Sequence, residues 1–327
     1  MSAYDLIIIG GGPTGINCAI AAQKAGLAYV VLEKGLLVNS IYHFPINMTF
    51  FSTSKLLEIG NVPFISHTEK PTRREALEYY RRLCQTYGLN VHLYEEVQVM
   101  QRLEAEEAYA VSTSKGQYRA KSIIIATGFY DTPVWLDVPG EDLPKVKHYY
   151  DDPHPYIRQK VLVVGAANSA CQVALELNEK GAEVSMVIRS EELYPKVKYW
   201  IKPNIENRIK EGSIKAWFNT TVGAIRETEV DLMTPEGLVT IENDWVFAMT
   251  GYQPNYSLLQ RLGLDIESGE DKIPIHDFDR LETNLPNVYL AGVVCAGMHT
   301  NKLFIENTRD HAAIIIDQIL EKTQATA

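Results

Sequence analysis

Three glycines near the start of the chain have the spacing of a turn that binds a dinucleotide. Gly10, Gly12 and Gly15 fit the pattern G-x-G-x-x-G within the segment YDLIIIGGGPTG. The first glycine permits a tight turn, the second lets the backbone approach a pyrophosphate, and the third lets a helix pack closely on a strand. The helix that follows would direct free N–H groups and its positive dipole end at the phosphates. These residues therefore predict a pyrophosphate site.

The elements around this first turn fit the same motif. An apolar strand is predicted over residues 6–9, a helix over residues 16–24 that ends at Gly26, and a second strand over residues 29–32 that ends at Glu33. An acid at that strand end can accept a hydrogen bond from a ribose hydroxyl. The alternative is a structural turn with a surface glutamate. The residues assigned to this site are Gly10, Gly12, Pro13, Thr14, Gly15, Glu33 and Lys34.

The same order of elements recurs in the middle of the chain. A strand over residues 160–164 precedes the turn GAANSA at residues 165–170, a helix over residues 169–180 stops at Gly181, and a strand follows over residues 184–188. Alanines stand where the second and third glycines usually lie, which allows helix packing but narrows the approach to a pyrophosphate. Two such units predict an α/β fold with two Rossmann-like dinucleotide-binding domains.

The residues after the second strand differ in charge from those after the first. The first unit ends in Glu33, whereas the second ends in Arg189, with Lys196 and Lys198 nearby. An arginine there suits a ribose 2′-phosphate by charge and by bidentate hydrogen bonding. The alternative for Arg189 is a solvated charge at a strand end. The sequence therefore predicts NADP at the second site. The residues assigned to it are Gly165, Ala167, Asn168, Ser169, Ala170, Arg189, Ser190, Lys196, Lys198 and Gly251.

Two more short strands end in small residues that allow a backbone to approach a ligand. A strand over residues 123–125 leads into Ala-Thr-Gly, and one over residues 287–291 leads into a glycine-bounded turn. A helix predicted over residues 304–321 would then direct its positive dipole end at a bound cofactor. We add three residues to the first site: Thr127, Gly128 and Gly292.

Local signals predict further elements between the two units. Thr72 and Glu75 can form a capping box at the start of a helix over residues 72–87. Residues 109–113 and 116–120 are typical of a pair of hairpin strands. Both predictions rest on spacing and residue type alone.

Composition narrows the classes of function. The chain of 327 residues has a formal net charge of −10, which argues against nucleic acid or an anionic membrane surface as a partner. No apolar stretch is long enough to span a bilayer, and the first strand begins too early to leave room for a signal peptide. The four cysteines have neither disulfide nor metal spacing. We therefore expect a cytoplasmic protein without a structural metal.

Together these motifs resemble the flavoproteins that bind two dinucleotides. The length and the order of motifs are similar to the thioredoxin-reductase-like branch, in which an NADP domain is inserted into an FAD domain. The stretches NMTFFSTSKLLEIGNVPF, LYPKVKYWIKPNIENRI and NKLFIENTRDHA resemble more specifically the bacillithiol-disulfide reductase (YpdA-type) family. The resemblance implies a discontinuous FAD domain over residues 1–128 and 252–327, with an NADPH domain over residues 129–251.

The resemblance also implies an activity. FAD would bind at the first turn and at Glu33, and NADPH at the second turn and at Arg189. Hydride would pass from NADPH to FAD, and the electrons would then go to an oxidised low-molecular-weight thiol or to a small redox protein. A homo-oligomer is implied as well. No catalytic residue is identified.

The sequence departs from the resembled families at three places. It has no C-x-x-C pair, so reduction of thioredoxin by that route is not expected. Thr14 stands where the bacillithiol group commonly has cysteine, and a hydroxyl cannot form a mixed disulfide. Val293 stands where many relatives have an aspartate that holds FAD. Cys295, in the glycine-bounded turn, could approach the flavin, although a packed structural thiol is the more ordinary role.

Three other functions use similar sites. A ferredoxin–NADP reductase needs no redox cysteine, but such enzymes usually have a C-terminal aromatic extension, whereas this chain ends in EKTQATA. A flavin monooxygenase would carry F-x-G-x-x-x-H between its two nucleotide motifs, and that pattern is absent. A redox sensor without turnover would retain both nucleotide sites.

Overall fold

The computed structural model describes residues 2–325, and the chain divides into two compact units. The first unit comprises the described residues up to His43, Asn47–Thr132, and the described residues from Tyr252 onward. The second unit comprises Phe44–Ile46 and Pro133–Gly251. The first unit is therefore discontinuous in sequence.

The strands are, in chain order, β1 (Ser2–Ile9), β2 (Tyr29–Leu32), β3 (Val91–His92), β4 (Val97–Leu103), β5 (Ala108–Thr113), β6 (Gln117–Ile125), β7 (Thr132–Pro133), β8 (Val146–Lys147), β9 (Lys160–Val164), β10 (Glu183–Val187), β11 (Ile214–Trp217), β12 (Thr221–Ile225), β13 (Glu229–Thr234), β14 (Gly237–Glu242), β15 (Trp245–Ala248), β16 (Tyr252–Gln253) and β17 (Val288–Leu290). The α-helices are α1 (Pro13–Lys24), α2 (Asn39–Tyr42), α3 (Arg73–Tyr87), α4 (Asn168–Glu179), α5 (Lys202–Lys210), α6 (Tyr256–Arg261) and α7 (His311–Ala325). Short 3-10 helices lie at Ser54–Leu57, Glu104–Glu106, His154–Tyr156 and Gly292–Ala296.

The first unit contains a sheet with the strand order β3-β2-β1-β6-β5-β4, and β17 also pairs with β6. Its strand pairs are parallel except for β4–β5 and β5–β6, which are antiparallel. Ile9 pairs with both Leu32 and Ile125, and Ile125 pairs with Leu290. The carboxyl ends of β1, β2, β6 and β17 are therefore level at one edge, which is where open α/β sheets bind ligands.

Apolar runs explain why these strands form the centre of the unit. Ile7, Ile8, Val30, Ile123 and Ile124 are fully buried. Strands buried on both faces are near-continuously hydrophobic, as the runs LIII, YVVL and SIII are. β6 is longer than predicted, because the hairpin strand and the following apolar run form one continuous strand.

Helix α3 begins with the capping box that the sequence predicts. The Thr72 side chain accepts a hydrogen bond from Glu75 N–H, and the Glu75 carboxylate accepts one from Thr72 N–H. The predicted capping box is therefore confirmed. The helix ends at Gly88, whose positive φ of 58° is the left-handed conformation that glycine adopts easily.

The second unit is built on a parallel sheet with the order β11-β10-β9-β15-β8. Strands β12, β13 and β14 form a separate antiparallel sheet. Apolar side chains of both sheets, among them Leu162, Val246, Val230 and Leu232, share one buried core.

The C-terminal helix begins later than predicted. The sequence predicts a helix from Phe304, whereas α7 begins at His311. Side chains compete with helical bonds in the intervening segment: Asn307 Oδ1 accepts from Phe304 N–H, and Thr308 Oγ1 donates to the Phe304 carbonyl. Such local bonds offer the backbone an alternative to the helix. No helix in the described part of the chain is long and apolar enough to cross a membrane.

We expect Thr72→Ala to speed amide hydrogen exchange in the first turns of α3, because the N-cap bond contributes about 1 kcal/mol. Hydrogen exchange followed by mass spectrometry reports this local opening. Thr86→Ala, at an exposed position of the same helix, is the matched control and should leave exchange there unchanged or slightly slower. Equal exchange in wild type and Thr72→Ala would contradict the assigned role of the capping box.

Candidate dinucleotide-binding sites

The first turn (residues 10–15) requires glycine for steric reasons. Gly10 has a φ of 112°, and its N–H donates to the Leu32 carbonyl at 2.9 Å. A Cβ on Gly10 would lie 2.5 Å from the Ala126 oxygen, and one on Gly15 would lie 1.9 Å from the Gly10 oxygen. By contrast, a Cβ on Gly12 would meet nothing within 4 Å. The turn is therefore closed on the sheet side and open at Gly12.

Glu33 links the first turn to the end of β2. Its side chain is buried, and its carboxylate accepts hydrogen bonds from Gly11 N–H at 2.7 Å and from Gly35 N–H at 2.8 Å. Burial raises the pKa of this carboxyl, and the two N–H bonds lower it in part. A carboxylate has about four acceptor positions, so both oxygens retain capacity for ribose hydroxyls.

The structure brings the other residues predicted for this site to the same edge. A Cβ on Gly292 would lie 2.7 Å from Thr14 Oγ1, and one on Gly128 would lie 3.9 Å from Val293. Thr127 lies beside Gly10, at 3.3 Å from the Cβ position of that glycine. Two segments that are distant in sequence therefore meet at the first turn.

Two further residues of the predicted set have defined positions. Pro13 is the first residue of α1, where its missing N–H leaves no helical bond unmade. Lys34 forms an ion pair with Asp131 at 2.8 Å, and both side chains are partly exposed. Lys34 therefore has an acidic partner beside the first turn, and its place in the site stays a prediction.

The second turn (residues 165–170) repeats the hydrogen bond of the first. Gly165 has a φ of 136°, and its N–H donates to the Val187 carbonyl at 3.0 Å. A Cβ on Gly165 would lie 2.6 Å from the Met249 oxygen and 3.1 Å from Ala170 Cβ. Gly251 lies two residues beyond Met249, exposed and with a φ of 98°.

A basic loop (residues 189–200) folds over the start of α4. Tyr194 N–H donates to the Ala166 carbonyl at 3.0 Å, and Lys198 N–H donates to Asn168 Oδ1 at 2.9 Å. Ala167 is the N-cap of α4 and Ser169 lies exposed in its first turn. The second turn and the backbone of the basic loop therefore meet at the N-terminus of α4.

Two cations of the basic loop, Arg189 and Lys196, are available to an anion. Arg189, Lys196 and Lys198 are all exposed, and within residues 2–325 neither Arg189 nor Lys196 forms an ion pair. The Ser190 hydroxyl donates to the Glu192 carbonyl at 2.8 Å, so this side chain shapes the loop. The loop therefore offers positive charge close to the N-terminus of α4.

Register shows how the two copies differ at the strand end. Leu32 pairs with Ile9 and Val187 pairs with Val164, each directly before a glycine turn. The position of Glu33 is therefore occupied by Ile188 in the second copy, and Arg189 is one residue further on. The second site lacks an acid that would accept from a ribose 2′-hydroxyl and has a cation beside it instead.

Both helix starts fit a bound pyrophosphate. Neither Gly12 nor Ala167 supplies a side-chain cap to its helix. The first N–H groups of α1 and α4 therefore lack the usual side-chain acceptor, which is the condition under which a helix N-terminus binds an anion. With Glu33 at the first turn and the basic loop at the second, the residues fit FAD and NADPH, respectively.

The cysteines are not poised to react. Cys18, Cys171 and Cys295 are buried, and burial raises the pKa of each thiol to about 12. Burial also raises the pKa of Cys84, to about 11. Since the thiolate is the nucleophile, these thiols are unreactive near neutral pH. In the described residues no group of three or more His, Cys, Asp or Glu is arranged to hold a metal ion.

Sequence reasoning missed two polar residues that support the first site. Asn17, in α1, accepts from Gly60 N–H through Oδ1 and donates to the Arg309 carbonyl through Nδ2. His311, the first residue of α7, accepts from Gly292 N–H at 3.1 Å. No local pattern could have found them, because their partners are far away in sequence.

This fold and these sites define a flavin- and pyridine-nucleotide-dependent oxidoreductase, and comparison with known proteins agrees. A family model described as "Pyridine nucleotide-disulphide oxidoreductase" matches residues 7–292. The chain is 43% identical over 317 residues to bacilliredoxin reductase Bdr of Bacillus subtilis (strain 168), which covers 97% of each chain.

Two solved structures are similar over the whole chain. Both are named bacillithiol disulfide reductase Bdr (YpdA). The Staphylococcus aureus protein is 40% identical with a TM-score of 0.95, covering 98% of this chain and 99% of that one. The Bacillus cereus protein is 42% identical with a TM-score of 0.95, covering 98% and 100%.

The chain belongs to the pyridine nucleotide-disulphide oxidoreductase family and, within it, to the bacillithiol-disulfide reductase (YpdA-type) group. It is a flavoprotein oxidoreductase that uses FAD and NADPH. The predicted thioredoxin-reductase-like α/β fold and the resemblance to this group are therefore confirmed.

We expect Gly15→Ala to abolish retention of FAD, because the added methyl group would overlap the Gly10 carbonyl and force α1 away from β1. The ratio of visible flavin absorbance to protein absorbance after purification measures this loss. Gly116→Ala is the matched control, since a Cβ there meets nothing within 4 Å. Full flavin content in Gly15→Ala would contradict the steric argument.

Proposed function

We propose that the protein is an NADPH-dependent disulfide reductase whose substrate is a low-molecular-weight disulfide of the bacillithiol type, free or bound to a small redox protein. The observation that carries this proposal is the similarity over the whole chain to three reductases named for bacillithiol disulfide or for bacilliredoxin. The two nucleotide sites support the use of both cofactors. The first site carries the acid Glu33 after its second strand, which suits FAD, and the second carries the cation Arg189, which suits NADPH.

In this proposal each site has its own cofactor. At the first turn, Glu33 would hold the FAD ribose, and the segments at Gly128 and Gly292 would line the rest of that site. At the second turn, the basic loop would hold the 2′-phosphate of NADPH. FAD supplies the two-electron acceptor that takes hydride from NADPH and passes the electrons on.

The disulfide is reduced without a covalent bond to the protein. NADPH and one proton reduce one disulfide to two thiols, so atoms and electrons balance with no protein thiol involved. Thr14 cannot form a mixed disulfide, and each of the four cysteines is shielded or unreactive. The free cysteines also fit a reducing compartment, so we place the protein in the cytoplasm. The homo-oligomer stays a prediction.

Anaerobic stopped-flow spectroscopy tests the acceptor. The flavin is first reduced with one equivalent of NADPH and then mixed with bacillithiol disulfide, with ferredoxin or with oxygen. We expect fast reoxidation by the disulfide, at similar rates in wild type, Cys18→Ala and Cys295→Ala. Mass spectrometry of the quenched protein should show no adduct. Reoxidation by ferredoxin or oxygen alone would contradict the proposal.

We expect Arg189→Ala to raise the KM for NADPH by about tenfold or more, because a charge-assisted hydrogen bond contributes about 1.5–3 kcal/mol. The KM for NADH should change little, since NADH has no 2′-phosphate. Steady-state kinetics with both nucleotides measure the difference. Lys210→Ala, an exposed cation at the end of α5, is the control. An equal rise in the KM for both nucleotides would contradict the assignment of Arg189 to recognition of the 2′-phosphate.

A further inference from the structure

We infer that His311 is a positioning residue that holds the Gly292 turn (residues 292–296) in the conformation FAD requires. Gly292 N–H donates to His311 Nδ1 at 3.1 Å across 19 residues of sequence. His311 is the first residue of α7, so this bond attaches the turn to the start of that helix. The inference rests on the assignment of this turn to FAD in the proposed function.

The position of the Gly292 turn is tightly constrained on its other side. Gly292 has a φ of 85°, and a Cβ on it would lie 2.7 Å from Thr14 Oγ1 on the first turn of α1. The neighbouring Ala291 N–H donates to the Ile125 carbonyl, which fixes the turn to the sheet up to that residue. Beyond Ala291 the next backbone donor is Gly292 N–H, and a side chain rather than a strand accepts from it. His311 therefore holds the backbone of the turn at the first residue beyond the bonds to the sheet.

This contact requires a neutral imidazole. Nδ1 accepts a hydrogen bond only when the ring carries its single proton on Nε2, because both nitrogens of a charged imidazole are donors. Burial lowers the pKa of His311, and the charge of His276 lowers it further, while the adjacent Asp310 raises it. The positive end of α7 also disfavours a charged ring. Neighbouring Arg309 donates to the carbonyls of Glu306 and Lys55.

The sign of the pH effect follows from this lowered pKa. Below the ordinary histidine pKa of about 6.5, a released turn takes up a proton while the anchored turn resists it. The anchored form is therefore fully favoured above about pH 6.5 and loses stability as the pH falls towards the lowered pKa of His311. Affinity for FAD should fall over the same range.

Release of FAD from the holoenzyme tests the inference, because flavin fluorescence rises when FAD dissociates. His311→Leu removes the acceptor, whereas His311→Asn can accept through Oδ1 and does not titrate. At about pH 7.5 we expect His311→Leu to weaken FAD binding about tenfold and His311→Asn to stay within about threefold of wild type. At about pH 5.5 the affinity for FAD should fall clearly more in wild type than in His311→Asn. His67→Asn, at an exposed histidine of the same unit, should follow wild type.

Three outcomes would overturn the role of His311. Wild-type affinity in His311→Leu at both pH values would show that the bond does not hold the turn. If His311→Asn bound FAD as weakly as His311→Leu, the effect would come from packing of the imidazole ring and not from the hydrogen bond. An equal pH dependence in wild type and His311→Asn would contradict the neutral acceptor, and this comparison decides the matter if His311→Leu does not fold. Full FAD retention in Gly15→Ala would instead contradict the steric argument that places FAD at the first turn.

Discussion

The contact between Gly15 and the Gly10 carbonyl fixes the geometry of the first nucleotide site. With no room for a Cβ at Gly15, α1 can start directly where β1 ends, and its first N–H groups lie at the edge of the sheet. Gly10 N–H and Gly11 N–H bond to Leu32 and Glu33, so the turn and the end of β2 move together. The segments at residues 126–128 and 292–296 pack against this turn.

The two glycine turns share this backbone frame but are held by different side chains. In the first copy the buried Glu33 carboxylate bonds to the turn. In the second copy the side chain of the equivalent residue, Ile188, has no hydrogen-bonding group, and the basic loop bonds to Ala166 and Asn168 instead. Loss of the acid therefore does two things. It removes an acceptor for a 2′-hydroxyl, and it leaves the turn to be stabilised by the loop that carries Arg189.

Sequence predicted the parts of the fold that local forces determine. Apolar runs and glycine spacing located β1, β2 and β9, and Thr72 with Glu75 located the start of α3. Contacts between distant residues were not predictable, because no local pattern encodes them. The bond from Gly292 to His311 and the ion pair that neutralises Lys34 are of this kind. The late start of α7 was missed because the side chains of residues 307 and 308 compete with the helix.

In the proposed function the disulfide is reduced without a protein thiol, and Thr14 supports that proposal because a hydroxyl cannot form a mixed disulfide. The hydroxyl oxygen of Thr14 lies 2.7 Å from the position that a Cβ on Gly292 would occupy, so Thr14 packs against the Gly292 turn. The other thiols cannot substitute, because making a thiolate of Cys18 or Cys295 would place a charge in the apolar core, and their pKa values of about 12 express that cost. In the proposed reaction both sulfur atoms that change oxidation state therefore belong to the substrate. The task of the protein would then be to set where the disulfide meets the flavin, through the turns that are proposed to hold FAD.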